Sequence, residues 1–134
     1  MRARTPLVLL LCLLACGCGK KKSTAELIAD LNGHQERDRL IAVRLLPQHK
    51  GDADQVIPAL IGVLKQQKGA DVRLSAAIGL GSFGDQARDA VPALQAAQRD
   101  RDARIREAAA VALSRIDPAK FPAPRGARPP ARGK

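Results

Sequence analysis

Residues 71–84 read DVRLSAAIGLGSFG, and residues 90–94 read AVPAL. The last four letters of the second stretch have a counterpart 34 residues earlier, where residues 57–60 read IPAL. A second segment also recurs. Its copies contain Arg39, Arg73 and Arg106, which lie 34 and then 33 residues apart. Two alternating units therefore recur with a period of about 34 residues, which is typical of repeat proteins built from helices.

The pattern inside each unit is helical. Between Val56 and Leu64 the large apolar residues fall at positions 56, 57, 60, 61, 63 and 64, which fills one broad stripe of a helix. A β-strand would need strict alternation of apolar and polar residues. The sequence therefore predicts six helices, over residues 24–32, 37–46, 54–67, 71–82, 86–99 and 103–116.

Start and stop signals agree with these boundaries. Residues 23–26 read STAE, which is a capping box, and Asp54 and Asp85 stand where N-caps are expected. Pro58 and Pro92 fall near the first turn of their helices, where a missing N–H costs little. The glycines expected to close units are Gly33, Gly51 and Gly84.

Residues 71–84 and 90–94 together resemble one complete HEAT repeat of the bacterial kind that is also found in phycobilin lyases. The resemblance extends from about residue 24 to 117, although Pro47 replaces an expected glycine and the last unit stops at Asp117 without its second helix. It implies an all-α fold, a short α-solenoid of paired antiparallel helices with about two and a half repeats. We expect this repeat domain to span residues 23–117.

The same resemblance implies where a partner would bind. In the family, the second helix of each pair lines the concave face, so exposed positions of 54–67 and 86–99 would contact a partner protein. The candidate contact residues are Gln55, Lys65, Gln66, Gln95 and Arg99. Because so short a solenoid leaves apolar surface at its ends, we also expect self-association or end-on docking.

The recurring arginines at 39, 73 and 106 have two interpretations. They could form a basic stripe for phosphates. The resemblance instead implies a structural arginine ladder at the turns between repeats. The acids expected to pair with this ladder are Asp38, Asp71 and Asp102.

The first fifteen residues have the plan of an export signal. Arg2 and Arg4 precede an apolar run from Leu7 to Ala15, which is too short to span a membrane because spanning takes about twenty residues. Residues 13–16 read LLAC, which resembles the lipobox of bacterial lipoproteins.

This resemblance implies a signal peptide over residues 1–15 and a lipid on Cys16, with Cys18 as the second candidate. Residues 16–22 then form the lipidated end and a basic linker. The alternative is a plain secretory signal whose cysteines happen to lie near the cleavage site. The three acyl chains typical of lipoproteins would hold the chain durably at a membrane.

The charge of the chain is concentrated at its ends. The chain has 23 basic and 13 acidic side chains, a net charge of +10, yet residues 23–117 contain 13 of each. Residues 118–134 contain five prolines, five basic residues and no acid, so we expect a disordered basic tail. With Phe83 and Phe121 as the only aromatic residues, the chain has no stacking platform for single-stranded nucleic acid.

Two sequence patterns resemble functional motifs but lack the structural context or spacing that those motifs need. Residues 79–84 match G-x-G-x-x-G, but a predicted helix precedes them where a dinucleotide site needs a strand. His34 and His49, with Glu36 or Asp52, have no recognisable zinc-ligand spacing. We therefore expect no metal, no cofactor and no enzymatic activity.

The sequence thus predicts a lipoprotein of the bacterial envelope, facing the periplasm or the cell exterior, that presents a HEAT-like module to an unknown protein partner. The alternative is an electrostatic binder that uses Lys20–Lys22 and the basic tail to hold an anionic envelope surface. Binding to nucleic acid is not expected.

Overall fold

The structure, a computed structural model, describes residues 21–66 and 69–124. The predicted signal peptide, Cys16, Cys18 and residues 125–134 of the tail lie outside the described residues. The described residues form six α-helices: α1 (Thr24–Leu31), α2 (Glu36–Leu45), α3 (Ala53–Lys65), α4 (Ala70–Gly81), α5 (Val91–Ala97) and α6 (Ala103–Ile116).

The helices stack in two layers. In one layer α4 packs against both α2 and α6. In the other layer α3 packs against both α1 and α5. Each helix of one layer is followed along the chain by a helix of the other, which gives the pairs α2–α3 and α4–α5 flanked by the single helices α1 and α6. The prediction of an all-α solenoid of paired helices is confirmed.

The repeat period is visible in the core. Leu46, Leu80 and Leu113 follow one another at the repeat spacing, and all three are fully buried. Leu60 and Leu94 are the corresponding pair in the other layer, and both are also fully buried. Equivalent positions therefore supply equivalent core side chains to successive repeats, as stacked repeats require.

Five of the six predicted helices agree with the structure to within two residues at each end. The predicted helix over 86–99 is wrong in its first part, because α5 begins only at Val91. The residues before it, Gly84–Ala90, form a 3₁₀ segment that is interrupted at Ala87.

Proline and burial together explain this shorter helix. Pro92 has no N–H to donate to the carbonyl of Arg88, which favours a helix that begins near this point, although α3 continues past the equivalent Pro58. Gly84 has a φ of 57°, which already departs from the helical region. Ala87 and Ala90 are fully buried, so packing against neighbouring helices holds the 3₁₀ segment in place.

The predicted capping box of α1 is present. The Glu26 backbone N–H donates to Ser23 Oγ at 3.3 Å, and the Ser23 backbone N–H donates to Glu26 Oε2 at 2.7 Å. The hydrogen bond from the Ser23 backbone lowers the pKa of the Glu26 carboxyl. The first helix therefore begins where the sequence predicted.

The two predicted aspartate caps are wrong. Asp54 lies inside α3, and Asp85 lies inside the 3₁₀ segment. Asp52 directly precedes α3, but its carboxylate accepts a hydrogen bond from the Thr24 hydroxyl and makes no capping bond. A contact between distant parts of the chain has thus replaced a local one.

The connections between helices lie at two opposite edges of the stack. We call one the terminal edge, because both ends of the described chain lie there; it consists of residues 21–24, 46–52, 82–90 and 117–124 and the helix turns next to them. We call the other the turn edge, which consists of residues 32–35, 66, 69 and 98–102 and the helix turns next to them.

Contacts run along the terminal edge from the first helix to the last. A hydrogen bond of 2.9 Å joins Thr24 Oγ1 to His49 Nδ1. Lys50 Nζ donates to the Ser82 carbonyl at 2.6 Å. A Cβ placed on Gly84 would lie 3.8 Å from the Arg115 carbonyl oxygen. The beginning and the end of the domain are therefore joined through one edge.

A pair of glycine substitutions tests the packing between α4 and α6. A Cβ on Gly81 would lie 2.9 Å from Ala112 Cα, so Gly81→Ala must push two backbones apart, and we expect it to lower the free energy of unfolding by about 1–3 kcal/mol. Gly62 lies inside α3 with nothing within 4 Å of its Cβ position, so Gly62→Ala should raise that free energy by about 0.5–1 kcal/mol. Urea unfolding followed by circular dichroism measures both. Equal effects of the two substitutions would contradict the close packing.

Candidate functional site

All five predicted contact residues are exposed, on α3, on α5 or just beyond these helices. Gln95 and Arg99 lie together and line a shallow depression of about 420 Å³. Lys65 and Gln66 lie at the end of α3, on the turn edge. Gln55 lies in the first turn of α3, about 15 Å from Lys65 along the helix. The structure therefore brings Gln95 and Arg99 together but leaves Gln55 apart.

The opposite layer has an apolar surface that the sequence did not predict. Ile41 on α2 is 47% exposed, and Ile78 on α4 is 53% exposed. Among residues 21–66 and 69–124 these are the exposed large apolar side chains. Half-buried Leu74 lies one turn before Ile78 on α4. Leu74 and Ile78 therefore form an apolar ridge along α4, and exposed contiguous apolar surface is typical of contact sites.

Two parallel grooves flank the ridge that Leu74 and Ile78 form. The α2/α4 groove has a volume of about 390 Å³ and is completed by residues such as Val43 and Pro47. The α4/α6 groove has a volume of about 380 Å³ and includes Val111 on its far side. Both grooves share Leu74 and Ile78, so the apolar surface is continuous across α4.

Charged side chains border the α4/α6 groove at both ends. Arg104 lies near its start, and Arg115 lies near its end, three turns later on α6. Arg104 is held by two carboxylates, at 2.8 Å from Asp102 and 3.1 Å from Asp71. The hydrogen bond from Arg104 lowers the pKa of Asp102. The groove is thus lined mainly by apolar and small residues, with Arg104, Glu107 and Arg115 as its charged side chains.

The sequence did carry a signal for this surface. α4 contains apolar residues at positions 72, 74, 76, 77, 78 and 80, which is more than one stripe of a helix can hold. Val72, Ala76, Ala77 and Leu80 take the buried positions. The larger Ile78 is left on the outside, and only the packing of α4 decides this.

The recurring arginines contact the turns between helices. Arg39 Nη1 donates to the carbonyls of Gly33 at 2.7 Å and His34 at 3.1 Å. Arg106 Nη1 donates in the same way to the carbonyls of Asp100 at 2.9 Å and Arg101 at 3.0 Å. Each of these two arginines therefore closes the turn that precedes its own helix.

A sequence profile of HEAT repeats matches residues 24–114. The chain belongs to the HEAT-repeat family. The solved complex of CpcE and CpcF of phycocyanin lyase from Nostoc sp. PCC7120 contains a similar chain, with a TM-score of 0.66 and 28% sequence identity. The similarity covers 75% of this chain and 40% of that one, so this chain spans well under half of its neighbour's length. Among curated protein sequences none matches this chain.

In this HEAT domain the arginine ladder is present, but its predicted acid partners are wrong. Arg73 pairs with Asp100, which lies on the turn of the next repeat. Asp71 and Asp102 both pair with Arg104 instead. Asp38 forms no ion pair with the described residues. Arg39 and Arg106 contact turn carbonyls, and Arg73 contacts a carboxylate of the next repeat.

One polar cluster lies on the terminal edge of the HEAT domain. The Thr24 hydroxyl contacts both His49 and Asp52, and Thr24 itself is buried. His34 lies in the turn after α1, on the opposite edge. In the part of the chain that the structure describes, no three His, Cys, Asp or Glu side chains form a group that could hold a metal ion.

None of the described helices has the length and apolar character that a membrane span requires.

Two aspartate substitutions compare how much a mostly buried ion pair and an exposed one stabilise the domain. The side chains of Arg73 and Asp100 are each 13% exposed, so Asp100→Ala leaves a mostly buried guanidinium without its carboxylate. We expect this substitution to lower the free energy of unfolding by about 2–4 kcal/mol. Asp71 and Arg104 are each 59% exposed, so Asp71→Ala should cost less than about 1 kcal/mol. Urea unfolding measures both, and similar losses would mean that the Arg73–Asp100 pair does not join the repeats.

Proposed function

We propose that this protein is a lipid-anchored interaction module of the bacterial envelope, which presents its HEAT domain to a protein partner and has no catalytic role of its own. The domain would face the periplasm or the cell exterior. Membership of the HEAT family supports the interaction module, because stacked repeats build extended binding surfaces. The lipid anchor rests on the LLAC sequence at residues 13–16.

The apolar face of α2, α4 and α6 is the observation that carries the proposal. Ile41 and Ile78 remain about half exposed in a domain whose other large apolar side chains are buried or half-buried in the described residues. Each of the two grooves is wide enough to take apolar side chains of a partner, and the shared ridge of Leu74 and Ile78 would lie between them. Burial of Ile78 on binding would remove apolar surface from water and stabilise the complex.

The exposed polar residues Gln55, Lys65, Gln66, Gln95 and Arg99 form the second candidate contact surface. Gln95 and Arg99 support it, because they line the same depression. This layer presents no exposed large apolar side chain among the described residues. Interfaces draw most of their binding energy from buried apolar and aromatic anchors, so we place the main contact on the apolar face.

The structural neighbour supports a protein partner. It is a complex of two proteins, CpcE and CpcF, and part of it shares this fold. Because this chain corresponds to only 40% of that neighbour, we do not extend phycocyanin lyase activity to it. What we carry over is association with a second protein.

The two candidate surfaces can be separated by crosslinking in intact cells. The double variant Ile41→Asp, Ile78→Asp places charge on the apolar face, and we expect it to lower the yield of the partner crosslink by about tenfold or more. Because both side chains are exposed, its thermal unfolding should stay close to that of the parent.

The matched variant for the other face is Gln95→Ala, Arg99→Ala, which should change the crosslink yield by less than about threefold. If the Gln95→Ala, Arg99→Ala variant instead lost more crosslink yield than the Ile41→Asp, Ile78→Asp variant, the partner would bind the α3 and α5 layer. A protein that forms no reproducible crosslink in either parent or variants would refute the interaction module.

Fatty-acid labelling tests the anchor. Cys16→Ser should abolish incorporation of labelled palmitate and release the protein from membranes, because the thioether needs the Cys16 thiol. Cys18→Ser is the matched control and should keep both the label and the membrane location. The opposite result, with label lost only in Cys18→Ser, would assign the lipid to Cys18. Label lost in neither single variant would contradict a lipobox cysteine at Cys16.

A further inference from the structure

We infer that the terminal edge of the HEAT domain lies on an anionic lipid surface, with Arg44, Arg115 and Lys120 facing the headgroups. The helices would then extend away from the membrane surface, with the turn edge at the far side of the domain. The orientation rests on the lipid anchor of the proposed function. The electrostatic contact adds to that anchor and can be measured without it.

The position of the chain ends gives the first argument. The anchor linker enters the domain at Ser23, and the basic tail leaves it after Phe121; both points lie on the terminal edge. Phe121 is half-buried and its backbone N–H donates to the Asp117 carbonyl at 2.9 Å, so the last described turn is held against the domain. The linker and the tail therefore start from the same edge.

The reach of the linker gives the second argument. Cys16 to Lys22 is seven residues, which span at most about 24 Å when fully extended. The longest helix, α6, has 14 residues and is about 21 Å long. To place the turn edge on the membrane, the linker would have to run almost its full length alongside the domain. The linker enters the domain at the terminal edge, so this edge can lie on the membrane without the linker running alongside the domain.

The free cations of the terminal edge give the third argument. Arg44 lies in the last turn of α2, Arg115 lies in the last turn of α6, and Lys120 lies in the turn that follows. All three are exposed, and none forms an ion pair with the residues that the structure describes. Lys22 is not counted, because it pairs with Asp30 at 2.6 Å. Arg88 is also exposed and forms no ion pair with the described residues, but it lies between Asp85 and Asp89 on the α3 and α5 side.

Carboxylates on the same edge set the tilt of the domain. Asp54, Asp85 and Asp89 lie at the start of α3 or before α5, on the α3 and α5 side. Arg44 and Arg115 end helices of the other layer, where they line the grooves. An anionic surface would attract the ends of α2 and α6 and repel the carboxylates near α3 and α5. The domain should therefore tilt so that the ends of α2 and α6 lie closer to the lipid. Ile41 and most of both grooves stay above the surface and accessible.

Vesicle binding of the full chain carrying Cys16→Ser tests the contact without the anchor. The probe is a vesicle of phosphatidylcholine with roughly one third phosphatidylglycerol, compared with pure phosphatidylcholine, in about 0.1 M salt. We expect the Arg44→Glu, Arg115→Glu variant to bind the anionic vesicles at least about tenfold more weakly than its parent.

The chain offers a closely matched control in Arg37→Glu, Arg101→Glu. Arg37 lies at the other end of α2 and Arg101 lies just before α6, both exposed and on or near the turn edge. This variant makes the same change in net charge, yet we expect it to weaken anionic binding by less than about threefold, because these sites lie about a helix length from the lipid. Circular dichroism should find all of these variants folded.

Orientation of the lipidated chain supplies the second measurement. A fluorophore at Gln48, on the terminal edge, should be quenched by spin-labelled headgroups much more than one at Gln98, on the turn edge. Equal weakening by the two arginine variants, or equal quenching at the two labelled sites, would overturn the inference. Failure of the anchor has a different signature, since the parent would then carry no fatty-acid label while vesicle binding of the Cys16→Ser chain is unaffected.

Discussion

The close packing of α4 between its two neighbours is the constraint on which the rest of the structure depends. A Cβ on Gly79 would lie 2.8 Å from Pro47 Cγ, and one on Gly81 would lie 2.9 Å from Ala112 Cα. Neither glycine has room for a side chain. The layer of α2, α4 and α6 can therefore form only because α4 presents its smallest residues to both sides.

This packing also produces the surface most suited to a partner. Small residues occupy the sides of α4 that meet α2 and α6, and the larger side chain of Ile78 stays about half exposed between the two grooves. The two grooves follow from the same geometry, because each lies where a neighbouring helix comes close to α4 below the Leu74 and Ile78 ridge. Close packing inside the layer and apolar exposure outside it thus have a common origin.

The two edges of the stack differ in the contacts that their basic side chains make. At the turn edge, the three ladder arginines contact the protein itself, since Arg39 and Arg106 donate to turn carbonyls and Arg73 pairs with Asp100 of the next repeat. At the terminal edge, Lys50 lies over the Phe83 ring at 3.9 Å, while Arg44 and Arg115 are exposed and form no ion pair with the described residues. A domain with no net charge can therefore present a cationic surface on one side of one edge.

The sequence by itself determined the number of helices, the bounds of five of the six to within two residues, the repeat period and the capping box at Ser23, because these depend on contacts between residues a few positions apart. It also placed Gln95 and Arg99 at the surface. Only the tertiary structure decided the short α5, the pairing of Arg73 with Asp100 and the exposure of Ile78. Each of these three depends on which distant helix or turn comes within reach, and no local pattern contains that distance.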